Sequence, residues 1–356
     1  MPKKKRQKVQ KAAQGFGLNA QALAVGLAKL EHLMRQEEWS KALKQMHSLE
    51  ERYPNHPKVL IYVVDFYHEI GDTKKYQEAA ERLVQADPDN PEAHLRLGEA
   101  CMGNLHPLLA LKNFRHCLTQ FPNYEQIEKV QEIVAELEAK IGGILADIGL
   151  EGEDAVALGT LHEEAISCFE QGNLTKSRQL EEQVLESRPN FTSALNNISL
   201  CHWKEEKLKE AIATANHVID IDPQNFHAYS NLTRFLCLNG QLAEAKKTAE
   251  QLKAIDNNVV DCCLKKAEAF SYIGDDQGIV DIFNAVKQAG DLDLAPPIFS
   301  HFVAAAQMRL GQEREARQLW QQALEAAPRL ESARENLNDL KQPISKRHAP
   351  WAYSMG

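Results

Sequence analysis

Between Pro91 and Pro122 the apolar residues fall on two helical stripes. His94, Leu97, Gly98 and Cys101 follow i, i+3, i+4, i+7 spacing and so share one face of a helix. Ala110, Phe114 and Cys117 mark a face of a second helix, which Leu111 and Leu118 widen and Pro122 closes, because proline cannot continue a helix. The pattern predicts two short amphipathic helices packed antiparallel, with Gly98 and Ala110 small enough to let them approach closely. Neither helix can bury its face alone. Pro54, Pro88 and Pro122 are equally spaced, and an interval of about 34 residues turns a motif into an array of helix pairs.

The same frame recurs over Glu37 to Pro54, Gly71 to Pro88, Glu206 to Pro223 and Gly311 to Pro328: a turn, a small or aromatic residue, an apolar helix face and a final proline. In these features the chain resembles the tetratricopeptide repeat proteins over nearly all of residues 20 to 340. The resemblance implies an all-α fold, a right-handed α-solenoid of about eight helix-turn-helix repeats. It also implies the general task of holding another polypeptide.

Within that frame the expected organisation is a basic N-terminal tail (1–18), a first lobe of three repeats (19–123), a long helix and bend (124–153), a second lobe of about five repeats with a capping helix (154–341), and an irregular C-terminal tail (342–356). The interruption is where the rhythm breaks. The next phased proline, Pro189, comes almost two periods after Pro122. The intervening stretch begins as an amphipathic helix through Ile127, Val130, Ile133, Val134, Leu137 and Ile141, then runs into Gly142, Gly143, Gly149 and Gly152, poor chemistry for a second repeat helix. Further on, DLDLAPP at 291–297 reads as a short bulge before the eighth repeat.

Composition changes this picture little. The apolar fraction of 44% suffices for a continuous core, while aromatics at 7% and scarce Val, Ile and Thr runs favour helix over strand. Net charge is −9 and uneven: six of the 41 basic residues lie within 1–11 beside no acidic ones, leaving 35 against 50 acidic, a net of −15. An acidic body argues against a surface that tracks phosphates, so nucleic-acid contact is expected only as a weak contribution of the basic tail. That tail, PKKKRQKV, also has the form of a nuclear-import signal, against a general expectation of cytoplasmic location. The seven cysteines contain no C-x-x-C pair, and Cys101, Cys117 and Cys168 sit at repeat core positions, as thiols of a reducing compartment would. No apolar run long enough to cross a bilayer is present.

The motifs of zincins, P-loop enzymes, α/β-hydrolases and dinucleotide binders are missing, so neither cofactor nor metal is expected and the chain reads as non-catalytic. His162, Glu163 and Glu164 have no second histidine one helical turn away and read as a surface polar patch. What remains is the face formed by the first helix of each pair, which in the family lines a concave groove that binds peptides. Asn197 and Asn231 are one period apart and each precedes an inward apolar residue, so both are expected to project into that groove, where an asparagine amide can bracket a peptide group. His227, Arg234, Lys265 and Tyr272 are neighbouring partner-binding candidates, with Arg234 and Lys265 favouring an acidic partner segment. Family members that clamp acidic chaperone C-termini need Lys, Asn and Arg over three repeats; Leu200 and Asp261 break that pattern here. The expected function is a protein–protein interaction scaffold or adaptor. The alternative is a targeting or regulatory subunit or region of an enzyme complex whose catalytic part lies elsewhere.

Overall fold

The computed structural model describes residues 20–257 and 259–350. The basic run at 3–11 and the tail aromatics Trp351 and Tyr353 lie outside the described residues. Among those described, all regular structure is helical, and the chain divides into two compact units, Met1–Asn173 and Leu174–Gly356.

In the first unit, helix α1 (20–35) pairs with α2 (Trp39–Arg52), α3 (Pro57–Glu69) with α4 (Thr73–Ala86), and α5 (Pro91–Gly103) with α6 (Pro107–Gln120); α7 (Ile127–Asp147) and α8 (Ala155–Glu170) follow. Local chemistry sets the starts. Asp72 accepts from the Lys75 amide and Asn90 from the Glu92 amide, satisfying donors that a first turn leaves open, and Pro57, Pro91 and Pro107 occupy first-turn positions where no N–H is needed. Pro54, Pro88 and Pro122 each follow the end of a second helix, as the spacing predicted. The faces between pairs form one continuous core through Leu30, Met46, Leu60, Leu83, Phe114 and Val130. Cys101, Cys117 and Cys168 are buried and in no disulfide, as expected from their repeat positions.

The second unit comprises α9 (Leu174–Ser187), the pairs α10 (Thr192–Lys204) with α11 (Leu208–Ile221), α12 (Phe226–Leu238) with α13 (Leu242–Lys253), α14 (Val260–Ile273) with α15 (Asp276–Ala289), and α16 (Pro297–Arg309) with α17 (Glu313–Ala326), then α18 (Glu331–Asp339). The expected bulge contains a short 3-10 turn at Leu292–Leu294. Behind α16 the indole of fully buried Trp320 donates to His301 Nδ1 at 3.1 Å. The segment after α18 folds back: the Arg347 guanidinium reaches Glu313 at 2.8 Å and the Leu340 carbonyl at 2.9 Å, and the His348 amide donates to Asp339 at 2.9 Å.

One departure concerns where the first unit ends. The sequence places a break in the glycine-containing stretch near 148–153, but the units divide after Asn173, with α8 in the first. The reason is a set of contacts the period does not encode. Gly159 of α8 lies against Leu108 of α6, so closely that an added Cβ would sit 2.4 Å from its Cδ1. Gln77 of α4 donates to Ser167 at 2.8 Å. The expected surface patch is also corrected here: His162 and Glu163 are both buried, and the Glu163 carboxylate accepts from the Leu109 amide at 2.7 Å.

The period is also written in the backbone. Glu37, Gly71 and Leu105 in one series, and Gly172, Glu206, Gly240 and Gly274 in another, all take positive φ at the turn between two helices, and each series advances by one period per step. Glycine adopts this conformation without penalty, whereas Leu105, at φ 61 and 86% exposed, holds it against steric cost and covers nothing.

This geometry sets the sign of two stability changes. At Gly98 a Cβ would lie 2.3 Å from the Phe114 ring, so Gly98→Leu is expected to lower the thermal midpoint by overpacking, at about 1–3 kcal/mol. Leu105→Gly should raise the midpoint, by about 0.5–1 kcal/mol after the entropy glycine adds to the unfolded chain. Circular dichroism melts of both variants beside wild type check the two signs, and an unchanged midpoint for Gly98→Leu would show that the helix pair tolerates bulk.

Candidate functional site

The candidate residues lie on α10, α12 and α14, the first helices of three successive pairs in the second unit. Because the pairs repeat at a constant period, equivalent positions stack from helix to helix: Asn197, Asn231 and Lys265 form one row, Leu200, Arg234 and Glu268 another, and His227 lines up with Asp261.

The Arg234 row carries the densest chemistry. Arg234 is 2% exposed, and its guanidinium forms an ion pair with Glu268, itself buried, on the neighbouring helix. Lys265 reaches the other oxygen of Glu268 at 3.2 Å. Aromatic rings flank the guanidinium: Trp203 of α10 lies 5.0 Å away and Tyr272 of α14 5.6 Å, distances at which a cation is drawn to the ring's negative face. Trp203 also stacks on Phe235, so it packs between first helices. Arg234 therefore ties α10, α12 and α14 together. Spacing alone presents it as a cation open to an acidic partner; in the structure Glu268 neutralises it inside the fold.

The other charged candidates are likewise engaged. His227 Nε2 lies 3.2 Å from Asp261, and this hydrogen bond, with the imidazole's charge, holds the Asp261 carboxyl below its ordinary range. Burial, followed by the Arg234 charge, lowers the Lys265 ammonium from its ordinary value. Tyr272 gives its carbonyl to the Cys237 thiol at 3.6 Å and its ring to Arg234, while burial pushes its phenol up.

The two asparagines have different surroundings. Asn197 donates to Glu181 of α9 at 2.7 Å, and Glu181 is fully buried, so this amide serves the fold. Asn231 is 5% exposed and its side chain makes no hydrogen bond within the described residues. Of the residues that matter most here, Glu268 and Glu181 escape sequence reasoning. Glu268 had a usable signal, since one period beyond Arg234 the chain places an opposite charge.

The first unit repeats the arrangement with other residues. Arg96 on α5 lies 2.9 Å from Glu92 and 3.7 Å from both Asp65 and Glu99, and Lys129 of α7 meets Glu99 at 2.8 Å. Burial raises the Asp65 carboxyl despite Arg96, with Glu92 and Glu69 adding to the rise.

The buried ion pair generates a distinguishing outcome. Arg234→Met leaves buried Glu268 with Lys265 alone as its cation and should destabilise by up to about 3–5 kcal/mol, whereas Arg234→Met with Glu268→Met removes the buried carboxylate as well and should recover part of that loss. Chemical denaturation of both variants measures the difference; equal destabilisation by the single and double changes would mean the pair does not couple the helices.

Two family models described as "Tetratricopeptide repeat" match residues 162–226 and 202–260. The TPR repeat-containing protein YpiA of Bacillus subtilis (strain 168) is 23% identical over 328 residues, spanning 80% of this chain and 76% of that protein. The tetratricopeptide repeat-containing protein trd-1 of Caenorhabditis elegans is 22% identical over 189 residues, 53% of this chain but 20% of its own length. Among solved structures, a thermophilic TPR protein of Thermus thermophilus aligns with a TM-score of 0.42 at 17% identity, covering 51% of this chain and 97% of that one. A tetratricopeptide repeat protein of Parabacteroides merdae aligns with a TM-score of 0.43 at 11% identity, covering 79% and 97%. The family matches run from α8 to the start of α14, with helix pairs recurring at the same period on both sides of them, so residues 162–260 are tetratricopeptide repeats and the rest of the chain is an all-α repeat array similar to them.

Proposed function

We propose that this chain is a non-catalytic scaffold or adaptor that holds an extended segment of a partner polypeptide against the first helices of its second unit, α10, α12 and α14. Tetratricopeptide repeats are in general protein–protein interaction scaffolds, and the finer reading rests on one observation. Asn231 sits at the middle of the inner row, nearly buried, with an amide that no described residue engages. An asparagine amide both donates and accepts, so a peptide group of a bound segment can pair with it on both sides. Asn197 and Lys265 flank it one repeat to either side, and His227, Arg234 and Tyr272 shape the surface around it. The seven cysteines are in no disulfide, in keeping with a reducing, cytoplasmic setting.

The internal pairing of Arg234, Lys265 and His227 bears on what the partner presents. With those charges answered by Glu268 and Asp261, recognition here depends on main-chain hydrogen bonding more than on acidic side chains. This replaces the preference for an acidic segment that spacing alone suggests.

The test begins with the native partner captured from lysate and mapped to a minimal peptide. Asn231→Ala should weaken binding of that peptide by about 2- to 13-fold, the equivalent of about 0.5–1.5 kcal/mol, with the melting midpoint unchanged. Asn197→Ala is the poorer probe because it also strips a bond from buried Glu181. Affinity should vary little between low and moderate salt. Equal affinity of wild type and Asn231→Ala would place the contact elsewhere, and a steep fall with salt would restore the acidic-partner reading.

A further inference from the structure

Helix α6 begins without help from its own chain neighbours. His106 stands at its N-cap but makes no side-chain capping bond, and Pro107 follows at the first position. The missing acceptor comes from far along the chain: Glu163, in the middle of α8, receives the Leu109 amide at 2.7 Å. An acidic group at a helix N-terminus is ordinarily favourable, since it meets both the open N–H groups and the positive end of the helix dipole. Here, however, the carboxyl is 7% exposed, in a closed seam beside Leu108, Gly159 and the fully buried Cys101.

The surrounding charges are already committed or distant. On α8 itself, His162 is adjacent and buried, Glu164 pairs with Lys112 of α6 at 3.3 Å, and Glu170 pairs with Lys74 of α4 at 2.9 Å. From α4, Glu81 accepts from Ser167 and from Gln171, and Gln77 bridges Ser167 to the loop before α6. From that loop, His106 Nδ1 lies 3.2 Å from Gln77 Oε1. The end of α7 presents Leu145 and Ile148 to the seam. Among the described residues no lysine or arginine is paired with Glu163, so the Leu109 amide must hold a carboxylate in a site that favours a neutral acid.

We infer that the seam between α8 and α6 is a proton-sensitive latch, in which Glu163 holds α8 against the start of α6 most tightly when its carboxyl is protonated. A protonated carboxyl keeps a carbonyl oxygen for the Leu109 amide while removing the buried charge. Burial pushes the Glu163 carboxyl up to about 7, with the Leu109 and Leu108 amides and His162 pulling the other way. The direction of linkage follows. A group held higher when docked than when free contributes docking strength that is full below the ordinary carboxylate range and is lost as pH rises through about 7. His106 sets the acid edge, because burial lowers its imidazole and protonating it within the seam opposes docking. The hinge is in place. Residues 148–154 join α7 to α8, with Gly149 and Gly152 at positive φ. When docked, α8 extends the first unit to Asn173; when released, the packed part of that unit ends with α7.

Hydrogen exchange on the full chain tests the latch. After correction for intrinsic exchange, protection of the first-turn amides of α6 and of the α8 amides should fall about tenfold from pH 6 to pH 8 in wild type. In Glu163→Gln it should change less than twofold, with the amides of α16 unaffected in both proteins. Equal protection at the two pH values in wild type, or the same fall in Glu163→Gln, overturns the proposal. If the variant does not fold, the carboxyl carbon resonance of Glu163 in wild type decides: a midpoint near 7 supports the latch, and one below 5 overturns it.

Discussion

The close approach of two helices within each pair is the constraint on which the rest depends. It requires a small residue where the axes come nearest, as at Gly98 beneath the Phe114 ring. It also leaves each pair with an unburied face that only a neighbouring pair can cover. Stability is therefore propagated from one repeat to the next, and in the first unit the core runs unbroken from pair to pair. The recurring turn with positive φ is the backbone counterpart of this requirement. A tight reversal once per period keeps the two helices of each pair in register.

Once equivalent positions stack from repeat to repeat, charges on successive first helices face one another. The chain uses this to bind helix to helix: Arg234 with Glu268 and His227 with Asp261 in the second unit, and Arg96 with Asp65 and Lys129 with Glu99 in the first. An inner face built in this way is charged in composition but largely compensated in fact. Among the proposed contact residues of the second unit, Asn231 stands apart because its amide has nothing to answer within the described fold.

The α8 seam shows a different principle. Here the helix period gives way to long-range contacts, among them one in which a carboxylate on one helix completes the start of another. Such a contact is specific because the open amides of a first turn accept few substitutes. It is also conditional, because a carboxylate must lose water to reach them.

Repetition made most of the fold legible in advance. The helix faces, the prolines after each second helix, the buried thiols Cys101, Cys117 and Cys168 and the bulge at 291–297 all follow from local spacing, since helix period and proline geometry act over a few residues. The rows of the candidate site were legible for the same reason, as Asn197, Asn231 and Lys265 share a repeat position. What tertiary structure decided was which side chains were already satisfied. That Asn197 serves Glu181, that Glu268 neutralises Arg234, and that Glu163 is buried under α6 depend on distances across helices that periodicity does not specify. The sequence by itself determined the repeating unit, because that unit is built from local interactions. Only the folded chain determined where the first unit ends and which polar groups remain available, because both depend on burial between segments far apart in sequence.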